Sequence, residues 1–174
     1  MPHLQNQQSS RSPTRSSRAS VENDENPSRK GKPMISNISL VTVYCTDQDE
    51  AKDFYVNTLG FEERTDATMG GFRWVTIGHP DQPELEVTLM VPGPPLDDEM
   101  AEAVRRALGK GTMGGLGLRV DDCQKTYEEL TAKGVEFTQP PSDRPYGVEA
   151  VMRDNTGNWL VLVEPKEYTA EDLS

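Results

Sequence analysis

The chain carries the same punctuation twice. Asp47 opens a helical pattern that stops at Gly60, and Asp121 opens another that stops at Gly134, thirteen residues on in each case. Each Asp follows an alternating run, "SLVTVYCT" before the first and "GLGLRV" before the second. A repeat constrains the fold more than any single motif, because a unit that cannot bury its apolar face alone must bury it against its copy. In the first helical run Ala51, Phe54, Tyr55 and Leu59 share one face; in the second Cys123, Tyr127 and Leu130 do. Asp47 with Glu50 reads as a capping box and Gly60 as a C-terminal stop. Strand candidates follow each helix, at 61–64, 72–77 and 85–91, then at 135–138, 148–153 and 159–164. The turns between them are marked by "MGG", "GHPDQP", "PPSDRPYG" and "DNTGN".

Each unit therefore reads β-α-β-β-β, which makes the chain α+β. The modules occupy 34–92 and 113–166, a connecting helix lies within 93–112, and tails flank them at 1–33 and 167–174. Asp97 and Asp98 resemble a catalytic carboxylate pair, but at a helix start they read as a cap and a dipole partner. Alternation splits each strand into two faces. Val41, Val43 and Cys45 go to the helix side, as do Leu85, Val87, Leu89 and Val91. So do Leu116, Leu118 and Val120, then Leu160 and Leu162. The other face takes Leu40, Thr42 and Tyr44, then Glu86, Thr88 and Met90. From the second unit it takes Gly115, Gly117 and Arg119, then Trp159, Val161 and Val163.

Composition changes at Pro33. The segment before it is rich in Ser, Arg, Asn and Gln and nearly free of large apolar residues, so disorder is expected there. Ser17 and Ser20 lie near arginines and are candidate kinase sites. The net charge of −11 opposes binding to nucleic acid or anionic membranes, whose phosphates select Lys and Arg. No apolar run approaches the roughly 20 residues that span a bilayer. Cys45 and Cys123 form no CxxC, so free thiols in a reducing, cytoplasmic setting are the expectation.

The repeated βαβββ pattern, with "FY…LGF" after the first strand and "D…GN" before the last, resembles the vicinal oxygen chelate superfamily. That group includes glyoxalase I, extradiol dioxygenases, and fosfomycin- and bleomycin-resistance proteins. The matching residues are Asp47, Phe54, Tyr55, Leu59, Gly60 and Phe61, then Asp154, Gly157 and Asn158; Asn155 stands where the family usually has Pro. The resemblance implies two mixed sheets curled around a concave cavity, and a homodimer. Metal-dependent relatives place His, Gln or Glu at inward positions that fall here on Leu40, Glu86, Gly115 and Val161. Only Glu86 can ligate, and a divalent ion needs several oxygen or nitrogen donors. His79, in the turn "GHPDQP", reads as a solvated turn residue. The expectation is no metal cofactor, the alternative being Ni, Zn, Mn or Fe in an unconventional site.

Glu86 then reads as a ligand-recognising charge, as a general base strengthened by desolvation, or as an ion-pair partner of Arg73 or Arg119. The candidate ligand-binding set is Leu40, Thr42, Tyr44, Arg73, Glu86, Thr88, Gly115, Arg119, Trp159 and Val161. Trp74 and Tyr146 are further aromatic candidates for the pocket wall. Cys123, near a helix start, is a candidate for a lowered thiol pKa, with buried packing as its other reading. Three functions fit. The first is a metal-independent protein that holds a small, partly apolar molecule, cationic if the acidic surface and Glu86 attract it. The second is a lyase, dioxygenase or isomerase using an unconventional metal site or Glu86 as base. The third is an interaction module whose tail recruits a partner.

Overall fold

Alternation and capping carry over into two four-stranded mixed sheets in the computed structural model, which describes residues 34–173. The tail at 1–33, with Ser17 and Ser20, lies outside the described residues. The first module holds β1 (Leu40–Tyr44), α1 (Gln48–Asp53), a π-helical turn (Phe54–Thr58), β2 (Glu62–Met69), β3 (Phe72–Gly78) and β4 (Glu86–Met90). α2 (Asp98–Gly109) leads to β5 (Met113–Arg119), α3 (Cys123–Ala132), β6 (Phe137–Arg144), β7 (Gly147–Arg153) and β8 (Asn158–Pro165). The strand orders are β1-β4-β3-β2 and β5-β8-β7-β6, with the first-named pair parallel in each sheet. The duplication read from the sequence is thus a duplication of topology.

Caps fix where the helices begin. Asp47 accepts the Asp49 and Glu50 amides at 2.8 and 3.0 Å, and Asp97 accepts that of Met100 at 2.8 Å. α3 is capped by Asp122, one residue later than expected, through the Lys125 amide at 2.8 Å. Cys123 is the first helical residue and is fully buried, which sets the helix phase. The first helical run is not uniform either. After Asp53 it widens into the π turn, where the Leu59 amide donates to the Phe54 carbonyl at 3.2 Å, five residues back.

Two strands exceed their sequence signals. β2 runs on to Met69, and β6 absorbs "PPSDR", which was expected to be a turn. Pro140 and Pro141 are tolerated because β6 is the sheet edge and its pairing slips between Phe137 and Gln139 and again between Gln139 and Ser142. An edge or bulge position needs no ladder N–H from proline.

One apolar core runs through both modules. Val43, Cys45, Ala51, Tyr55, Val75, Ile77, Val87 and Leu89 join Cys123, Leu130, Val135, Ala150, Met152, Leu160 and Leu162. All come from helices, from the helix side of the sheets or, for Cys45 and Val135, from the turns beside them, so the modules meet back to back. Four side-chain hydrogen bonds link them. Tyr55 Oη donates to Asp154 Oδ2 at 3.0 Å, and Asn158 Nδ2 to the Tyr44 carbonyl at 2.9 Å. Asn155 Nδ2 donates to the Glu50 carbonyl at 2.8 Å, and Lys133 Nζ to the Thr58 carbonyl at 2.9 Å. The other face of each sheet is left open.

Candidate functional site

The open faces carry most of the candidate set. On β1 and β4, Leu40 pairs with Glu86, Thr42 with Thr88 and Tyr44 with Met90. Trp74 and Phe72 continue this face onto β3, their ring centroids 6.1 Å apart. On the second sheet Gly117 pairs with Val161 and Arg119 with Val163, and Trp159 lies on the same face. Large apolar side chains here meet solvent: Leu40 and Phe72 are each 41% exposed and Trp159 is 43% exposed. Their neighbours on the opposite face, such as Val43, Val75 and Leu160, are buried.

Three candidates are placed differently from the sequence reading. Arg73 points to the helix side, where it donates to Asp66 Oδ1 and Oδ2 at 2.8 and 2.7 Å and to Asp49 Oδ1 at 2.7 Å. That cluster, joined by Lys52, pins α1 to the β2–β3 hairpin and holds the Asp66 carboxyl well below its ordinary value, chiefly through the Arg73 hydrogen bonds. Thr88 lies on the expected face but is only 1% exposed, its hydroxyl donating to the Val75 carbonyl at 3.3 Å. Gly115 is displaced by a bulge between Gly114 and Gly117. A Cβ on Gly115 would stand 2.7 Å from Leu160 on the core side, whereas one on Gly114 would face the Trp159 indole at 3.4 Å. Gly114, not Gly115, therefore borders the open face.

Glu86 is half-buried beside Leu40 and forms no ion pair among the described residues. Arg73 is engaged by Asp66 and Asp49, and Arg119 lies on the other sheet, so neither fulfils the ion-pair expectation. The donor set does not fit a divalent ion. Among the described residues no three of His, Cys, Asp and Glu converge, and of Leu40, Glu86, Gly115 and Val161 only Glu86 offers an oxygen. His79 stands in its turn, accepting the Asp81 amide on Nδ1 at 3.2 Å and packing edge-on against Phe61.

The sequence reading missed a second polar group on the open face. Glu149 on β7 accepts from Tyr146 Oη at 2.6 Å, Gln139 Nε2 at 3.1 Å and Arg144 Nε at 3.2 Å. The Tyr146 hydrogen bond is the main cause that holds the Glu149 carboxyl below its ordinary value. The signal was available: Glu149 is a lone charged residue at a period-two position in "GVEAVM". Both thiols are buried and passive. Burial and the nearby Asp154 push Cys45 up to about 12, and burial also raises Cys123 rather than lowering it.

Two four-stranded mixed sheets with their helices match the glyoxalase/bleomycin-resistance fold. A sequence model of the Glyoxalase/Bleomycin resistance protein/Dioxygenase superfamily matches residues 37–162, and the chain belongs to that family. It is 34% identical over 127 residues to the protein YurT of Bacillus subtilis (strain 168), covering 73% of this chain and 98% of YurT. The crystal structure of UcmS2 superposes with a TM-score of 0.70 at 45% identity, covering 75% of this chain and 99% of that one. TnmS3, an antibiotic binding protein from Streptomyces sp. CB03234, superposes with a TM-score of 0.63 at 29% identity, covering 78% and 100%. Among the described residues no helix is long and apolar enough to cross a membrane.

Proposed function

We propose that the protein binds a small, largely aromatic organic molecule on an open sheet face, in a cavity completed by a second copy of the chain. The observation that carries this reading is the exposure of Leu40, Phe72 and Trp159 on faces whose opposite sides are buried. Large apolar side chains left exposed on a sheet whose other side is buried are candidate ligand contacts. β1 and β5 each lie at a sheet edge, paired on one side only, so a second copy can extend both sheets and enclose the faces. The similarity to an antibiotic binding protein supports a ligand that is held rather than transformed. So does a donor set that suits no divalent ion.

The chain's two tryptophans, Trp74 and Trp159, both belong to the open faces, so intrinsic fluorescence reports on this surface. Titration with a panel of polycyclic aromatic antibiotics should quench it saturably and raise the melting temperature as ligand exceeds its dissociation constant. Sedimentation equilibrium of the full chain should give a dimer. A monomer that shows neither quenching nor a thermal shift would sink the reading. The second reading, metal-free proton abstraction, rests on Glu86, whose carboxylate stands beside Leu40 without an ion-pair partner among the described residues. Product formation from any bound ligand, lost in Glu86→Gln, would select it.

A further inference from the structure

The two open faces differ in charge, and the difference runs against the charge of the whole chain. One row across the second sheet consists of Arg119 on β5, Val163 on β8 and Glu149 on β7. Glu149 is neutralised by Arg144, whose Nη2 also donates to Gln139 Oε1 at 2.9 Å. Arg153, further along the same face of β7, is matched by Glu136 at 3.0 Å. Arg119 has no carboxylate within ion-pair distance among the described residues, and it is exposed. A guanidinium carries five N–H donors, and the network around Glu149 uses only part of Arg144's set. The row therefore ends in a free cation on one side and unspent donors on the other, with Val163 as an apolar floor between them. Neighbouring floor positions are Val161 and Trp159.

A structural role accounts for part of this. Gln139, Arg144 and Tyr146 brace the bulged β6, whose prolines cannot join the ladder. It does not account for Arg119, which touches none of them. Two strand spacings separate Arg119 from Glu149, about 10 Å between backbones, enough for one ring and its substituent.

We propose that this row is the anion-recognising end of the ligand site. It takes an aromatic molecule that bears a carboxylate, sulfonate or phenolate, with the acidic group on Arg119 and the ring over Val163, Val161 and Trp159. This rests on the binding reading above and reverses the cationic ligand that the net charge of −11 would favour. A local charge-assisted hydrogen bond outweighs a diffuse, salt-screened field.

Two probes share one aromatic frame and differ by a sulfonate: 8-anilinonaphthalene-1-sulfonate and neutral N-phenyl-1-naphthylamine. Both are titrated by fluorescence into the full chain, wild type, Arg119→Gln and Arg119→Lys. The expected result is that Arg119→Gln weakens the sulfonate probe about tenfold and leaves the neutral probe unchanged. Arg119→Lys retains most of the sulfonate affinity, and added salt weakens the sulfonate probe only. Unchanged sulfonate affinity in Arg119→Gln overturns the proposal. So does a parallel loss of both probes, or binding of the neutral probe alone, and these two outcomes leave the cavity reading standing. If wild type binds neither probe, the cavity reading fails and this inference fails with it.

Discussion

Tyr55→Phe tests what joins the two modules. Tyr55 is 0% exposed, and its ring packs edge-on between Phe54 and Phe61, with centroids 5.6 and 5.8 Å away. Removing the hydroxyl keeps that packing and creates almost no cavity. What it deletes is one donor to Asp154, a carboxylate only 6% exposed. Asp154 Oδ1 also accepts from the Thr156 amide, the Thr156 hydroxyl and the Asn158 amide, at 2.9, 2.9 and 2.8 Å. Asn158 Nδ2 reaches Oδ2 at 2.7 Å. The carboxylate thus keeps four of its five donors in the variant. A hydrogen bond to a charged acceptor contributes about 1.5–3 kcal/mol, so Tyr55→Phe should cost roughly 2 kcal/mol. At the usual entropy of unfolding that lowers the melting temperature by about 4–10 °C. The assay is urea denaturation with far-UV circular dichroism, repeated for Asp154→Asn and for the double variant. Because both substitutions remove the same contact, the double variant should be more stable than the sum predicts by about 1 kcal/mol or more. A cost below about 0.5 kcal/mol for Tyr55→Phe, or strict additivity, would refute the argument that this bond holds the modules together.

Further expectations concern other parts of the structure. Gly157 has φ +99°, and a Cβ there would run into the Leu108 carbonyl oxygen, so Gly157→Ala should prevent cooperative folding or cost at least about 3 kcal/mol in denaturation. Asp66 and Glu149 have folded pKa values below their ordinary 3.8 and 4.5, so the stability they supply is present above those values and is lost as pH falls through the folded ones. Arg73→Leu should accordingly flatten the fall in stability below about pH 4, measured by chemical denaturation at stepped pH. With Cys45 pushed up to about 12 and both thiols buried, native protein at pH 8 should react with Ellman's reagent far more slowly than urea-unfolded protein. Isothermal titration with Ni, Zn, Mn and Fe ions should give no stoichiometric site tighter than about millimolar, and one abolished by Glu86→Ala would refute the reading of the donor set.

Much of this fold was legible because its signals are local and occur twice. The Asp caps, the glycine stops and the period-two strands each predict an element, and the second copy repeats them. The errors lie where a long-range feature overrides a local one. "PPSDR" reads as a turn until the sheet order shows that it is an edge. Gly115 reads as inward until a bulge, invisible in a run of glycines with no side chains to show a face, moves Gly114 there instead. Arg73 resembles a partner for Glu86 by charge, but its alternation with Val75 and Ile77 puts it on the helix side. Asp154 and Asn158 are legible as a family signature but not as a junction, since their partners, Tyr55 and the Tyr44 carbonyl, are 99 and 114 residues away. Glu149 is not legible as a polar centre, because a single Glu in a strand gives no hint of the three donors that converge on it.

The back-to-back arrangement has a consequence for how the chain can vary. What keeps it folded lies on the helix sides, in the shared core and the Asp154 junction, while the proposed ligand contacts lie on the opposite faces. Residues such as Leu40, Phe72, Arg119 and Trp159 can be exchanged with small stability cost, since none packs into that core. A protein so divided can change its open faces one residue at a time, without compensating mutations in the core.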